Sequence, residues 1–352
     1  MKSISIKVFS VKLKKGFKGL KVSRKKIFLF LQYFFTVVFL VSAFLFVNEV
    51  LIQPWRSRKV MEEIKAIYRD TADNSAPAFS GDFTAEPAGP VSPTPGNPEP
   101  PVLPKFAEIL KINSDVRGWI TVPDTRIDYP VLKTKENDPD YYLSRNIYGE
   151  KDRNGSIFID RNSSIDAKNI VIHGHNMKSG DIFHDLVEFQ DMEYYKLRPV
   201  IFFDSIYETN AWKIISVFIT NGSGEEEPFF DYTRSEFADS SDFLNFVYQL
   251  KVRSIYNTNV DINENDRLIT LSTCTYELPN YRNVVVARKV RPGEDLSVDV
   301  EKTTKNNPLY TERYYRTYGG TPPKVSSFEE ALQAGEIDWY TPVSSGEVLA
   351  EK

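Results

Sequence analysis

Residues 267–274 read RLITLSTC and residues 282–290 read RNVVVARKV. In the first run Ile269 and Leu271 alternate with Thr270 and Ser272, the period-two pattern of a strand. Cys274 ends it, with its thiol on the face opposite the two aliphatics. Glu277, Pro279 and Asn280 supply the turn, and a second strand starts near Arg282. A hairpin of that length holds the Arg282 guanidinium beside the Cys274 thiol at the open end of the pair. Arg288 lies about 20 Å further along an extended strand and cannot serve the same site.

Outward from this pair lie further short β-type runs: WITV (119–122), the apolar pair after Tyr129-Pro130, SIFI (156–159), NIVIHG (169–174), VIFFD (200–204) and WKIISVFIT (212–220). They show no regular alternation with helices, so the fold class is mainly β, an antiparallel sheet or a closed barrel. A short helix is expected around Phe106–Leu110. Asp181 is expected to cap a helix with apolar positions Ile182, Phe183, Leu186 and Val187, and Phe243, Phe246, Val247 and Leu250 mark one buried face of another.

The chain has 352 residues, 41% hydrophobic and 26% charged, enough for one ordinary core plus accessory segments. Its net charge of −4 is unevenly placed. Residues 1–48 carry Lys and Arg but neither Asp nor Glu, so the rest is strongly acidic; this argues against nucleic acid as a partner of the folded part. One cysteine excludes an internal disulfide and a Cys-rich zinc site.

From Ile27 to Val47 only Gln32, Thr36 and Ser42 are polar, and about 21 residues span the hydrocarbon thickness. Lysines and Arg24 crowd the N-terminal flank, which places the basic segment 1–26 in the cytoplasm and the rest outside. The other reading is a cleaved signal peptide, though the run exceeds a usual signal core and no small-x-small site follows it. Residues 48–74 read as an amphipathic helix through Val60, Met61, Ile64, Ile67 and Tyr68, or as a solvated stalk. Nine prolines in 75–104 make a semi-rigid spacer. The folded domain is expected over 105–290.

Three residue types can carry chemistry. A lone cysteine in an exported chain is either a buried small hydrophobe or a reactive thiol; polar neighbours, the strand-end position and Arg282 favour the second. The arginine fork can also bind a carbonyl oxygen that turns negative when sulfur attacks. The three histidines are 173, 175 and 184. His173 and His175 share a strand face and form a conceivable metal pair, but no further ligand stands at convincing spacing, so no metal is expected. His184 reads as a packing or surface residue.

The string Thr270-Leu271-Ser272-Thr273-Cys274 resembles the TLxTC signature of the sortases, membrane-anchored cysteine transpeptidases of Gram-positive bacteria. Gly174-His175-Asn176-Met177 is similar to their histidine motif, and Arg282-Asn283-Val284-Val285-Val286-Ala287 to the segment that opens with their arginine. GWITVPDTRIDYPV (118–131), GSIFID (155–160) and residues 253–274 resemble class B in particular, as does the helix before Arg253.

The resemblance implies a closed sortase-type β-barrel with short helices, preceded by a single transmembrane helix in the cell membrane, with the catalytic domain extracellular. It implies Cys274 as nucleophile, His175 as general acid/base and Arg282 as oxyanion stabiliser, with Thr273 an additional donor and Ser272 and Thr275 adjacent to substrate. His173, beside the matching histidine, is read as a packing or hydrogen-bonding neighbour. The implied partners are exported proteins bearing a C-terminal sorting motif of Asn-Pro-x-Thr type and a lipid II-like peptidoglycan precursor whose amine accepts the acyl group; no cofactor is implied.

The sequence departs from the class at residue 275, where relatives often carry an acid, and in its long spacer and the extension 291–352. Pilin polymerisation, hydrolytic peptidase action at the same three residues, and a catalytically idle surface binding module stand as alternatives. In the extension, Ser327-x-x-Glu330 is a capping box before Phe328, Ala331 and Leu332, with Gly335 to end the helix. The extension either docks over the barrel and restricts its groove or hangs as a loosely packed appendage.

Overall fold

The computed structural model describes residues 24–73, 100–225 and 227–343. The basic segment up to residue 23 and most of the proline-rich spacer lie outside the described residues. The chain divides into two compact units, Met1–Ile52 and Gln53–Lys352.

The first unit contains α1 (Arg24–Val47), whose 24 residues extend about 36 Å. None of its side chains is buried, and it is long and apolar enough to cross a membrane. Its Thr36 hydroxyl donates to the Gln32 carbonyl at 2.8 Å, so this polar group is satisfied within the helix.

The second unit opens with α2 (Gln53–Asp73). Its apolar stripe is the one the sequence suggests, but it is not a stalk: Ile64 is fully buried, and Val60, Met61, Ile67 and Tyr68 pack on the same core. The Tyr68 ring stacks on Trp119 at 4.1 Å, and its hydroxyl donates to Asp204. The folded unit therefore begins near residue 53 rather than 105. Helix α3 (Ala107–Ile112) follows a 3-10 turn at Pro104–Phe106.

The strands are β1 (Val116–Thr121), β2 (Asp128–Lys133), β3 (Ile157–Ile159), β4 (Asn169–His173), β5 (Val200–Ser205), β6 (Ala211–Asn221), β7 (Tyr256–Asn257), β8 (Leu268–Cys274), β9 (Tyr281–Lys289) and β10 (Thr304–Lys305). Eight form a barrel in the order β1-β2-β3-β4-β8-β9-β6-β5, and β5 pairs back to β1. β3 is the shortest strand of the ring. Two neighbouring pairs, β2–β3 and β4–β8, are parallel, and the other pairs of the ring are antiparallel.

Strand alternation divides the apolar residues between two cores. Ile269, Leu271, Val285 and Ala287 fill the barrel interior, whereas Leu268, Val284 and Val286 face outward beneath α5 (Ser240–Arg253). A bulge in β6 between Ile214 and Ser216 switches the parity, so that Ile214 and Val217 point inward and Ile215 and Phe218 outward. Helix α5 carries the expected face, with Phe243, Phe246, Val247 and Leu250 buried, and its cap is Asp239, which accepts from the Asp242 N–H.

The helix expected after Asp181 is different. Ile182 has φ +60°, outside the right-handed helical region, and only a 3-10 segment, His184–Gln190, follows, with no side-chain cap. The Asp181 carboxylate accepts instead from Arg58 at 2.9 Å and Ser179 at 2.6 Å. The short α4 (Met192–Leu197) comes next, capped by Asp191.

The C-terminal extension is packed, not loose. β10 pairs with β7, α6 (Glu312–Tyr318) lies near the β8–β9 turn, and α7 (Phe328–Gln333) buries Phe328 and Ala331 on the outer core. The Ser327–Glu330 capping box forms as expected, but Leu332 is exposed. The Trp339 carbonyl accepts from the Ile262 N–H at 2.7 Å, and the Thr341 N–H donates back to Ile262.

Arg288 is fully buried at the end of β9 remote from Cys274, with Glu294 accepting at 2.6 Å from both terminal nitrogens. Burial alone would raise the Glu294 carboxyl, but hydrogen bonds from Arg288, Lys213 and the Arg291 N–H bring it down to about 2.

Lys251 of α5 is buried beneath the Trp339 ring, with a long bond of 3.3 Å to the Thr258 hydroxyl. Burial pushes its ammonium down to about 8 from an ordinary 10.5. Between those values the unfolded chain binds more protons than the folded one, so this group's contribution to stability rises with pH across the window. Lys251→Met is expected to be more stable than wild type in urea unfolding at pH 7, with the advantage shrinking by pH 10. A pH-independent difference would contradict this account.

Candidate active site

β8 and β9 pair without interruption from Leu268↔Arg288 to Cys274↔Arg282. Cys274 and Arg282 are thus directly opposed at the end of the ladder, where facing Cβ atoms stand about 5 Å apart. On its other side Arg282 pairs with Thr220 of β6. Cys274 is half-buried, and its thiol shares the outward strand face with Ser272 and Thr270.

His175 reaches this point because β4 runs parallel to β8, with His173 opposite Ser272. The chain then leaves β4 under three hydrogen bonds to β8. The Gly174 N–H donates to the Ser272 carbonyl (3.2 Å), the Thr273 hydroxyl to the Gly174 carbonyl (2.8 Å) and the Asn176 amide to the Cys274 carbonyl (2.9 Å). Residues on both sides of His175 are therefore tied to the end of the cysteine strand. Its Nε2 lies 2.8 Å from the Leu143 carbonyl oxygen. A carbonyl only accepts, so Nε2 carries the hydrogen and Nδ1 of the neutral ring carries the lone pair.

The two neighbouring histidines diverge. His173 faces Asp160 at 3.1 Å, the hydrogen-bonding neighbour expected of it. Burial would raise the Asp160 carboxyl, yet the His173 and Asn162 bonds and the positive charge nearby hold it below its ordinary value.

Ser272 and Thr273 are buried, with partners inside the protein: Tyr232 at 3.0 Å for Ser272, the Gly174 carbonyl for Thr273. Thr275, also buried, donates its N–H to the Tyr281 carbonyl at 3.1 Å. Burial raises the Tyr232 phenol above its ordinary value, keeping it a neutral donor.

Several participants carry no sequence signal of their own. His184, read as packing or surface, places Nδ1 2.8 Å from the Asn176 amide oxygen and so steadies the group that holds the Cys274 carbonyl. Gly222 is another. A Cβ there would stand 2.8 Å from Cζ of Arg282, so only glycine lets the loop after β6 pass this close to the guanidinium. Its N–H is bonded to the Asn280 carbonyl at 2.7 Å, which fixes that passage.

A strand-end thiol facing an arginine, with a histidine laced to the same strand, can support acyl transfer through sulfur. Comparison with known proteins gives this arrangement its class. A family model for the sortase domain matches residues 120–290. Sortase B of Listeria monocytogenes is 39% identical over 176 residues, covering 49% of this chain and 68% of that protein. Sortase B of Staphylococcus aureus is 31% identical over 194 residues, covering 54% and 76%.

Among solved structures, the S. aureus sortase B–substrate complex superposes with a TM-score of 0.56 at 26% identity, covering 68% of this chain and 99% of that one. Sortase B from B. anthracis in complex with AAEK1 gives 0.54 at 29%, covering 69% and 100%. The chain belongs to the sortase family, and within it to class B. Members of this class are cysteine transpeptidases that anchor proteins bearing sorting motifs to the cell wall.

Gly222→Ala is expected to leave the thermal midpoint nearly unchanged, because the atom that must give way is the end of a flexible side chain. Turnover should fall by about tenfold as the guanidinium is displaced. Unaltered turnover would show that the close approach has no bearing on Arg282.

Proposed function

We propose that Cys274, as thiolate, attacks the threonine carbonyl of a sorting motif of Asn-Pro-x-Thr type in an exported protein. The C–N bond after threonine breaks and a thioacyl-enzyme forms. His175, which holds on Nδ1 the proton given up by the thiol, passes it to the departing amine. An amine of a peptidoglycan precursor then displaces the sulfur and forms the new amide, with His175 taking up the proton. Arg282 stabilises the oxyanion in both halves, a task suited to a permanently charged fork of donors.

The observation that carries this reading is the Cys274↔Arg282 register together with the three hydrogen bonds that lace the His175 segment to β8. In the same reading α1 anchors the enzyme in the cell membrane with its N-terminus cytoplasmic. Ser272 and Thr273, given their internal partners, act by holding the site's backbone.

The detergent-solubilised full chain, incubated with a library of threonine-containing peptides and an amine acceptor, tests this by intact mass. A Cys274-dependent acyl adduct that passes to the amine is expected, with Cys274→Ala giving none. Arg282→Ala should lower kcat by about 10²–10³ and His175→Ala by about 10²–10⁴. Product that is hydrolysed at an undiminished rate despite saturating amine would indicate a peptidase instead.

A further inference from the structure

We propose that Tyr281 is a positioning residue for the catalytic pair, and that the C-terminal extension acts on the reaction through it; this rests on the transpeptidase reading above. Tyr281 immediately precedes Arg282 and is almost completely buried. Its carbonyl oxygen accepts from Arg282 Nη1 at 3.2 Å and from the N–H of Thr275, the residue after Cys274, at 3.1 Å. One backbone oxygen thereby ties the arginine side chain to the strand end that bears the thiol.

The side chain of the same residue faces the extension. Its hydroxyl donates to Glu227 Oε1 at 2.5 Å and touches the Thr311 hydroxyl. The other carboxylate oxygen of Glu227 accepts from the Arg313 N–H at 3.0 Å, in the first turn of α6. Glu227 is itself buried, and its carbonyl and that of Pro228 accept from Asn221 at the end of β6.

Apolar contacts complete the grip: Tyr281, Leu278 and Ile219 form a small cluster against Tyr310 and Tyr314, whose rings stack at 3.9 Å. The Tyr318 hydroxyl donates to the Glu277 carbonyl at 2.6 Å, pinning the β8–β9 turn from outside. Burial and Glu227 push the Tyr281 phenol up to about 12, so the hydroxyl remains a donor at any working pH.

The catalytic pair stands where the β8–β9 ladder passes into its turn, and a reacting group misplaced by about 1 Å loses a large factor in rate. Residues 311–318 restrain that end in three dimensions. They act on the geometry of Arg282 and Cys274 without contacting the thiol.

The test uses the full chain and reads Cys274 directly, as the ratio of alkylation rates with iodoacetate and iodoacetamide. A guanidinium held beside sulfur favours the anionic reagent, so the wild-type ratio should exceed that of Arg282→Gln severalfold. Tyr281→Phe keeps the ring in its cluster and removes the hydroxyl; it should lower the ratio at least threefold toward the Arg282→Gln value. Its thermal midpoint should shift by only a few degrees. Glu227→Ala and Thr311→Ala should move the ratio in the same direction, and in peptide ligation all three should lower kcat about tenfold with KM within twofold.

A ratio unchanged in Tyr281→Phe overturns the positioning role, as does a wild-type ratio no higher than that of Arg282→Gln. A change in Tyr281→Phe without one in Glu227→Ala or Thr311→Ala removes the extension from the account. If the ratio moves as expected but wild type ligates no peptide, the transpeptidase reading fails while the positioning stands.

Discussion

The antiparallel register of β8 and β9 is the constraint on which the rest of the site depends. Cys274 and Arg282 face each other because the six pairs below them are locked by side chains buried on both sides of the sheet. A slip of one residue would turn every inward aliphatic outward and carry the thiol into the barrel interior. The two cores therefore do more than stabilise the unit; together they specify which face of the hairpin presents sulfur and guanidinium. Parallel pairing with β4 then brings the histidine segment to the same end, and the hydrogen bonds from Gly174, Thr273 and Asn176 hold it there.

Much of this was legible in the sequence, because strand alternation is a local signal. Ile269, Leu271 and their polar neighbours mark β8, and turn residues mark its reversal, so the opposition of Cys274 and Arg282 followed from spacing alone. The remoteness of Arg288 followed from strand rise, and the face of α5 from its period. Signals that depend on distant partners were not legible. Asp181 looked like a helix cap because its partners Arg58 and Ser179, and the left-handed backbone of Ile182, are set by tertiary packing. The stripe on α2 was visible, but nothing local distinguishes a face buried on a barrel from one left in water.

The same limit explains the site residues that escaped notice. Tyr281, Glu227 and Gly222 are ordinary residues in sequence, and their weight comes from what lies across from them. Ser272 and Thr273 were conspicuous by their place in a motif, yet their hydroxyls are occupied inside the protein. The extension carried a correct helix signal at Ser327–Glu330, but its aromatics only acquire meaning against α5 and the β8–β9 turn.

The parallel contact between β4 and β8 has a consequence for the order in which the molecule is built. Asn176 and Cys274, which share a hydrogen bond, are 98 positions apart in the chain. Parallel strands need a long crossover, and contacts of such high sequence separation form late and slowly. In this chain the crossover includes β5, β6 and α5, and the strand that completes it carries the only cysteine. A chain emerging N-terminus first thus has its histidine before it has a thiol, the histidine is fixed only when β8 pairs with β4, and the thiol acquires its arginine only when the next strand folds back. Reactivity is postponed by topology until the strands that direct the sulfur have formed.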